Sequence, residues 1–334
     1  MTTEAGFMDI EGTYAELESV DVGLGQVSRR VMLSRTVNLV LTVDTESRMR
    51  GVRFEFEHQS SLVSQVDQVR GLKFSLVSST PKAQQLRIDQ VRPGDSVLFG
   101  VVVQDLVRAV TPSTGEEAKK VSERLSRWKA FFSRNVEGLT REEQLGLFAE
   151  LVVLQELQAA GVPVDRSVAL WEGPHSEVHD FSAQDWALEV KASASLASAS
   201  ATINSERQLD PGEISPLFLI FLGYDVRPHS QGLTLPQIVG RVRKSLANFA
   251  NEADHFEDLL IDVGYLDIHA SLYFSHYEST REEVFAVRQD FPSLRTTDLP
   301  PAVSRTKYQL NIDQCQEWRV TFEAMVEPVL EQYR

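Results

Sequence analysis

The chain has 334 residues, 42% of them apolar and 24% charged, enough to bury a sizeable core in one large domain or two ordinary ones, and this excludes a disordered chain. With 48 acidic against 33 basic residues the formal net charge is -15, which argues against a sequence-indifferent coat on nucleic acid; any phosphate contact must be local or metal-assisted. The single cysteine, Cys315, can form neither an internal disulfide nor a cysteine zinc cage, the first residues carry acids where a signal peptide needs bases, and no apolar run approaches the roughly 18 residues of a membrane span. The expectation is a soluble, cytoplasmic protein that makes no use of a membrane.

Residues 1–26 hold six acids and no Lys or Arg, with Phe7, Ile10, Tyr14 and Leu17 spaced as one face of a helix, either docked or frayed. From about Val31 to Val110 the pattern turns to short β-type runs, VMLSRTVNLVLTV, GVRFEFEH, LKFSLVSS, QQLRI and SVLFGVVVQDLV, punctuated by Gly51, Gly71 and Pro93-Gly94. This predicts a β-rich N-terminal domain over residues 1–115, a recognition or assembly module.

The segment TPSTGEE (111–117) reads as a linker into a helix with Val121, Leu125, Trp128 and Phe132 on its apolar face. Its other face carries Lys119, Lys120, Arg124, Arg127, Lys129 and Arg134, the main local reversal of the acidity. A solvated surface is the plain explanation and a phosphate-facing stripe the sharper one. A second helix begins at Thr140, where Thr-Arg-Glu-Glu matches a capping box, and stops at Gly161 with Pro163 just beyond. SVALW (167–171) then reads as a strand, residues 177–191 as a hairpin, and PLFLIFLGY (216–224) as a strand buried on both faces. A helix opens at Thr234 with Pro236 in its first turn and Ile238, Val242, Leu246 and Phe249 on one stripe. A further helix near His255–Ile261 and a strand IHASLYF follow. Residues 116–334 are therefore expected to form an α/β domain.

The informative stretch is EVHDFSAQDWALEVKAS (177–193). With Gln184 and Asp185 at the turn, hairpin pairing sets Asp180 directly opposite Glu189. Opposed residues have Cβ atoms about 4.5 to 5.5 Å apart, where two carboxylates repel, so something cationic belongs between them. Lys191 lies on the same face as Glu189, whereas Phe181, Leu188 and Val190 take the opposite, packing face. Two carboxylates and a lysine on one face suit a hard divalent ion, Mg2+ by default with Mn2+ as an alternative, and its bound water becomes easier to deprotonate beside a phosphate. Glu150 adds a carboxylate from the helix opened by Thr140. Its neighbours at helical spacing are Gly146, Leu147, Val153 and Leu154, so it must pair with a cation, titrate neutral or join a metal site.

Glu150 in a helix, then Asp180, then Glu189-Val190-Lys191 in a strand, resembles the PD-(D/E)XK nuclease superfamily. More narrowly, GLFAEL, Trp171, Gly173-Pro174, His179-Asp180-Phe181 and EVK resemble a bacterial family assigned to that superfamily and often encoded beside restriction or phage-defence genes. The close resemblance covers roughly residues 138–225. It implies a restriction-endonuclease-like mixed sheet flanked by helices, with Asp180, Glu189 and Glu150 around the metal, Lys191 as catalytic lysine and Gln208 as an auxiliary polar residue. His179 stands where the superfamily name has proline.

Plainer readings accompany each candidate. A D-x8-E-x-K spacing arises by chance on an exposed hairpin of alternating charge. His179, on the Phe181 face, reads as a core histidine, His175 as a loop histidine, Trp171 as a packing residue and Cys315 as a buried thiol. Arg241, Arg243 and Lys244 are either a solvated face or a phosphate contact. No G-x-S-x-G nucleophile elbow and no G-x-x-x-x-G-K-[ST] phosphate loop occurs. The expected function is a metal-dependent DNA endonuclease in a bacterial defence or restriction setting. Its DNA contacts would be local, through Lys119, Arg124, Arg127, Arg241, Arg243 and Lys244, and protein partners would deliver the substrate. The competing expectation is a catalytically inactive nuclease-fold scaffold or DNA-binding subunit of a multiprotein complex.

Overall fold

The structure is a computed structural model describing residues 9–21, 23–57, 67–69, 71–80, 83–111, 115–134, 137–173, 178–194, 199–212 and 214–333. It divides into two compact units, residues 1–136 and 137–334. Among the described residues no helix is long and apolar enough to cross a membrane.

The first unit opens with α1 (Ile10–Ser19), capped by the Asp9 carboxylate on the Gly12 amide at 2.8 Å. The helix is docked: Ile10, Tyr14 and Leu17 are buried, as their spacing predicts, while Phe7 lies outside the described residues. Six strands follow, β1 (Gln26–Met32), β2 (Val37–Asp44), β3 (Arg50–Phe56), β4 (Asp67–Val69), β5 (Leu72–Thr80) and β6 (Ala83–Gln90). They form an antiparallel sheet in the order β1-β2-β3-β6-β5-β4. Tyr14 donates its hydroxyl to Gly51 O at 2.8 Å, and Arg50 pairs with Glu11 and Glu18 of the same helix at 2.8 and 2.7 Å.

Two expectations change in this unit. SVLFGVVVQDLV is helical, within α2 (Ser96–Ala109). Its valines favour strands locally, but Phe99, Val102, Val103, Leu106 and Val110 are all buried, and that spacing makes one stripe only on a helix. The next helix, α3 (Glu117–Arg134), belongs with the first unit and not with the expected domain of residues 116–334. It packs on α2, with Trp128 Nε1 donating to Asp105 Oδ2 at 2.9 Å and Arg124 Nη1 lying 3.2 Å from Asp105 Oδ1.

The second unit begins with α4 (Arg141–Ala159), whose capping box forms as expected: Glu143 N donates to Thr140 Oγ1 and Thr140 N to Glu143 Oε2. Such a cap contributes about 1 kcal/mol. Gly161, at φ 108°, takes the left-handed conformation that ends the helix. SVALW is not a strand. It lies mostly in α5 (Val164–Leu170), which starts after Pro163 and buries Ser167, Val168 and Leu170.

There follow β7 (Phe181–Ala183), β8 (Trp186–Ser193), β9 (Ser200–Ile203), β10 (Leu217–Arg227), β11 (Leu233–Thr234), α6 (Leu235–Ser245) and α7 (Ala250–Val263). The chain closes with β12 (His276–Val287), β13 (Tyr308–Asn311), β14 (Arg319–Val320) and α8 (Phe322–Glu331). IHASLYF forms no strand; residues 267–272 make a 3-10 turn with no fully buried residue, and the long strand β12 follows it. The main sheet runs β11-β12-β10-β8-β7, with β14 on β12; β8 and β10 are parallel and the remaining pairs antiparallel. This is the mixed sheet expected from the sequence.

The central strand β10 explains the layers. Phe218, Ile220, Leu222 and Tyr224 enter a core shared with α4, α5, α6, α7 and α8, while Leu217, Leu219 and Phe221 enter a second core on the opposite face. That second face is covered by the two-stranded sheet of β9 and β13 and by residues 291–318. A strand buried on both sides carries a nearly continuous apolar run, and PLFLIFLGY has one.

Candidate active site

The hairpin of β7 and β8 has the register expected from its turn. Phe181 pairs with Leu188, Ser182 with Ala187 and Ala183 with Trp186, around Gln184 and Asp185. Phe181, Leu188 and Val190 are buried in the helix-side core, as alternation requires. Ala187 faces the other core, and Glu189 and Lys191, at the same parity, share its face.

Asp180 immediately precedes Phe181, the first residue of β7, where the register of the hairpin, continued by one residue, would face Glu189. Its Oδ2 accepts the Val190 amide at 2.7 Å, standing where a ladder carbonyl would otherwise stand. Glu189 is fully buried, and its Oε2 has no hydrogen-bond partner. Lys191 Nζ lies 2.5 Å from Glu189 Oε1. That close ion pair compensates part of the Glu189 charge through one of its two oxygens. Glu150 comes from α4, and its Oε2 accepts the Trp171 indole N–H at 2.8 Å.

Electrostatics bind these four side chains into one group. Burial pushes the Glu150 carboxyl up to about 8, Asp180 adds to the rise, and the Trp171 N–H and Lys191 oppose it. Asp180 is raised by burial against the pull of Lys191 and the Val190 N–H. Glu189 is driven well above the usual carboxylate range by burial and by Asp180, with Lys191 opposing. Burial lowers the Lys191 ammonium, but Glu189 and Asp180 outweigh it and hold the charge on. Glu150 and Asp180 keep some accessible surface even though protein atoms crowd their carboxyl groups. Three carboxylates against one lysine leave the group short of positive charge.

Asp180, Glu189, Lys191 and Glu150 are thus brought within electrostatic range of one another. As placed, each acid leans on its own partner. Among the described residues no set of three or more His, Cys, Asp or Glu side chains is arranged to hold a metal ion. Gln208 has a local contact: in the turn after β9, its side-chain carbonyl accepts the Asn204 amide at 2.8 Å. Trp171 is a packing residue, 1% exposed, whose indole also serves Glu150. His179 is half-buried, His175 lies outside the described residues, and Cys315 is buried, with burial and Glu283 pushing its thiol up to about 11.

Of the basic residues singled out, Arg124 is spent on Asp105 in the first unit. Arg243 is held by Glu257 and Asp267 at 2.6 and 2.9 Å. Arg241, Lys244 and Lys119 are exposed and Arg127 is half-buried. Sequence reasoning missed Tyr308. It sits on β13 over the Glu189 face, and its phenol is raised by burial, with the Leu294 N–H opposing and smaller effects from Glu189 and Lys191. Nothing near Tyr308 in the sequence signals this, because the pairing of β13 with β9 brings it there.

No curated protein and no solved structure matches the chain. The family described as "Putative PD-(D/E)XK family member, (DUF4420)" matches residues 10–313, nearly the whole chain, and the chain belongs to this family.

Proposed function

We propose that the chain is a divalent-metal-dependent DNA endonuclease, hydrolysing phosphodiester bonds within a bacterial defence or restriction system. The observation that carries the reading is Glu189: a fully buried carboxylate whose Oε1 meets Lys191 and whose Oε2 is buried without a hydrogen bond, with Asp180 raising its pKa further. An uncompensated buried charge costs several kcal/mol, and one lysine shared among three acids does not offset it. Nucleases of the superfamily generally use divalent metals. The oxygen donors fit a hard cation, Mg2+ or Mn2+, held by Asp180 and Glu189 with Glu150 as the accessory acid. Such an ion would supply Lewis acidity to a phosphoryl oxygen and lower the pKa of bound water.

The chain's own residues do the rest. Asp180 is oriented by the Val190 amide, so its free oxygen has a fixed direction. Lys191 keeps its proton and presents a positive charge beside the acids, where it can orient a water or stabilise negative charge growing on phosphorus. Lys119, Arg127, Arg241 and Lys244 would make local backbone contacts with DNA, and the net charge of -15 favours delivery of the substrate by partner proteins.

The test is plasmid nicking by the purified chain with and without its partners. Mg2+ or Mn2+ should support nicking and raise the melting temperature, and Lys191→Ala should abolish nicking while preserving the fold. The rival reading, a scaffold that keeps the fold without the chemistry, draws on the absence of a ready three-acid cage among the described residues. It prevails if nothing is cut and Lys191→Ala still functions in cells.

A further inference from the structure

Tyr308 occupies a position that neither the family nor the hairpin motif assigns. It opens β13, where it pairs with Ile203 of β9, and it packs against a core that contains Ala187, Leu219 and Phe221. Ala187 lies two residues before Glu189 on the same face of β8, and Leu219 and Phe221 are the register partners of Glu189 and Lys191. The ring therefore lies on the face of the sheet from which Glu189 and Lys191 project, within electrostatic reach of both. It is half-buried, so one side meets solvent. Its oxygen accepts the Leu294 amide at 3.4 Å, and among the described residues no acceptor takes its own proton.

The approach to β13 is fastened. Glu206 accepts the Arg305 amide at 3.2 Å, the Thr306 amide at 2.8 Å and the Thr306 hydroxyl at 2.9 Å. That clamp sets the chain two residues before Tyr308, so the phenol is presented on a fixed backbone. An O–H donor with no acceptor, on a fixed strand beside a carboxylate and an ammonium, suits a charged oxygen arriving from solution.

Resting on the endonuclease reading, we propose that Tyr308 contacts the substrate, donating its hydroxyl to a nonbridging oxygen of the phosphodiester being cut. The chemistry favours a neutral donor there. Lys191 already shares its charge with Glu189, and a phenol adds a hydrogen bond to the phosphate without adding a competitor for the acids. Burial keeps the phenol protonated at neutral pH, so the donor is always present.

The test is Tyr308→Phe, which keeps the ring and removes only the hydroxyl, read by two assays. In plasmid nicking with Mg2+, kcat/KM should fall about tenfold or more, chiefly in kcat, the usual scale for a hydrogen bond to a charged group. In Ca2+, anisotropy of a phosphorothioate duplex should show binding weakened about threefold or more, while the melting temperature and the Mg2+ midpoint stay at wild-type values. Wild-type behaviour in both assays overturns the inference, and so does a loss that tracks a lowered melting temperature. If the wild type binds duplex and cuts nothing, the hydrolytic reading fails and the binding shift still decides Tyr308. If it neither binds nor cuts, Tyr308 has no phosphodiester to meet and the inference falls too.

Discussion

Asp180 accepts the Val190 amide at 2.7 Å, so the first acid of the pair is fastened to the strand that carries the second. Asp180→Asn keeps an oxygen for that amide and removes a negative charge from a site where three carboxylates repel one another. The expected outcome is a nicking rate reduced by a factor of about 100 or more, the usual scale when a metal ligand is lost, with a melting temperature equal to or above that of the wild type in chelator. Added Mg2+ should no longer raise the melting temperature. Differential scanning calorimetry with a plasmid assay checks all three, and a large loss of stability in chelator would contradict the repulsion argument.

Glu150 gives the metal-free protein a defined pH response. Its carboxyl is held at about 8 against an ordinary 4.5, by burial first and by Asp180 second, so the folded state holds that proton more tightly than the unfolded chain. The associated stability is complete below about pH 4.5 and is lost as pH rises through about 8, and the raised Asp180 and Glu189 act with the same sign. In chelator the stability should therefore fall between pH 5 and 8, by a few kcal/mol at most, and the melting temperature should fall with it. Glu150→Gln should flatten part of the fall. Mg2+ should oppose it, because metal binding requires the ionised acids. A melting temperature that rises across this window in chelator would show that the acids are compensated by some other means.

Glu156, on the same helix, supplies a control away from the site. Burial raises it to about 7, with Glu282 adding to the rise, and its Oε2 is buried without a hydrogen bond. Being raised, it too contributes stability that is present below about 4.5 and lost as pH passes through about 7. Glu156→Gln should raise the melting temperature relative to wild type at pH 8 and leave the two alike near pH 5. The response to Mg2+ and the nicking rate should not change. A changed Mg2+ response would mean that the two acid groups on α4 act as one.

The hairpin was legible because its determinants are local. Gln184-Asp185 sets the turn, alternation assigns Phe181, Leu188 and Val190 to one core, and the register follows. The Thr140 capping box was legible for the same reason. Ser96–Ala109 was not, because five valines argue for a strand and only the burial of Phe99, Val102, Val103 and Leu106 on one side makes a helix. Trp171 reads as a packing residue and does pack; its service to Glu150 depends on how α4 and the segment after α5 meet, which no spacing encodes. Tyr308 is the extreme case, since only the β13–β9 pairing and the Glu206 clamp bring it over the sheet face that carries Glu189.

Arg50 offers a test in the first unit that is independent of any chemistry. Its side chain is 8% exposed, lies 4.8 Å from the centre of the Tyr14 ring and pairs with Glu11 and Glu18, so it ties α1 to β3 at three points. Arg50→Met keeps most of the packing volume but leaves two helix carboxylates without their cation. Breaking a well-buried pair costs about 3 to 5 kcal/mol, and Glu11, more than half exposed, recovers part of that from water, so about 2 kcal/mol is expected. The Tyr14 bond to Gly51 and the burial of Ile10 and Leu17 remain, so the helix should loosen rather than unfold the sheet. Amide exchange should accelerate over residues 10–19 and stay slow in β2 and β3. Equal acceleration across the whole sheet would show that α1 and the strands open as one cooperative unit.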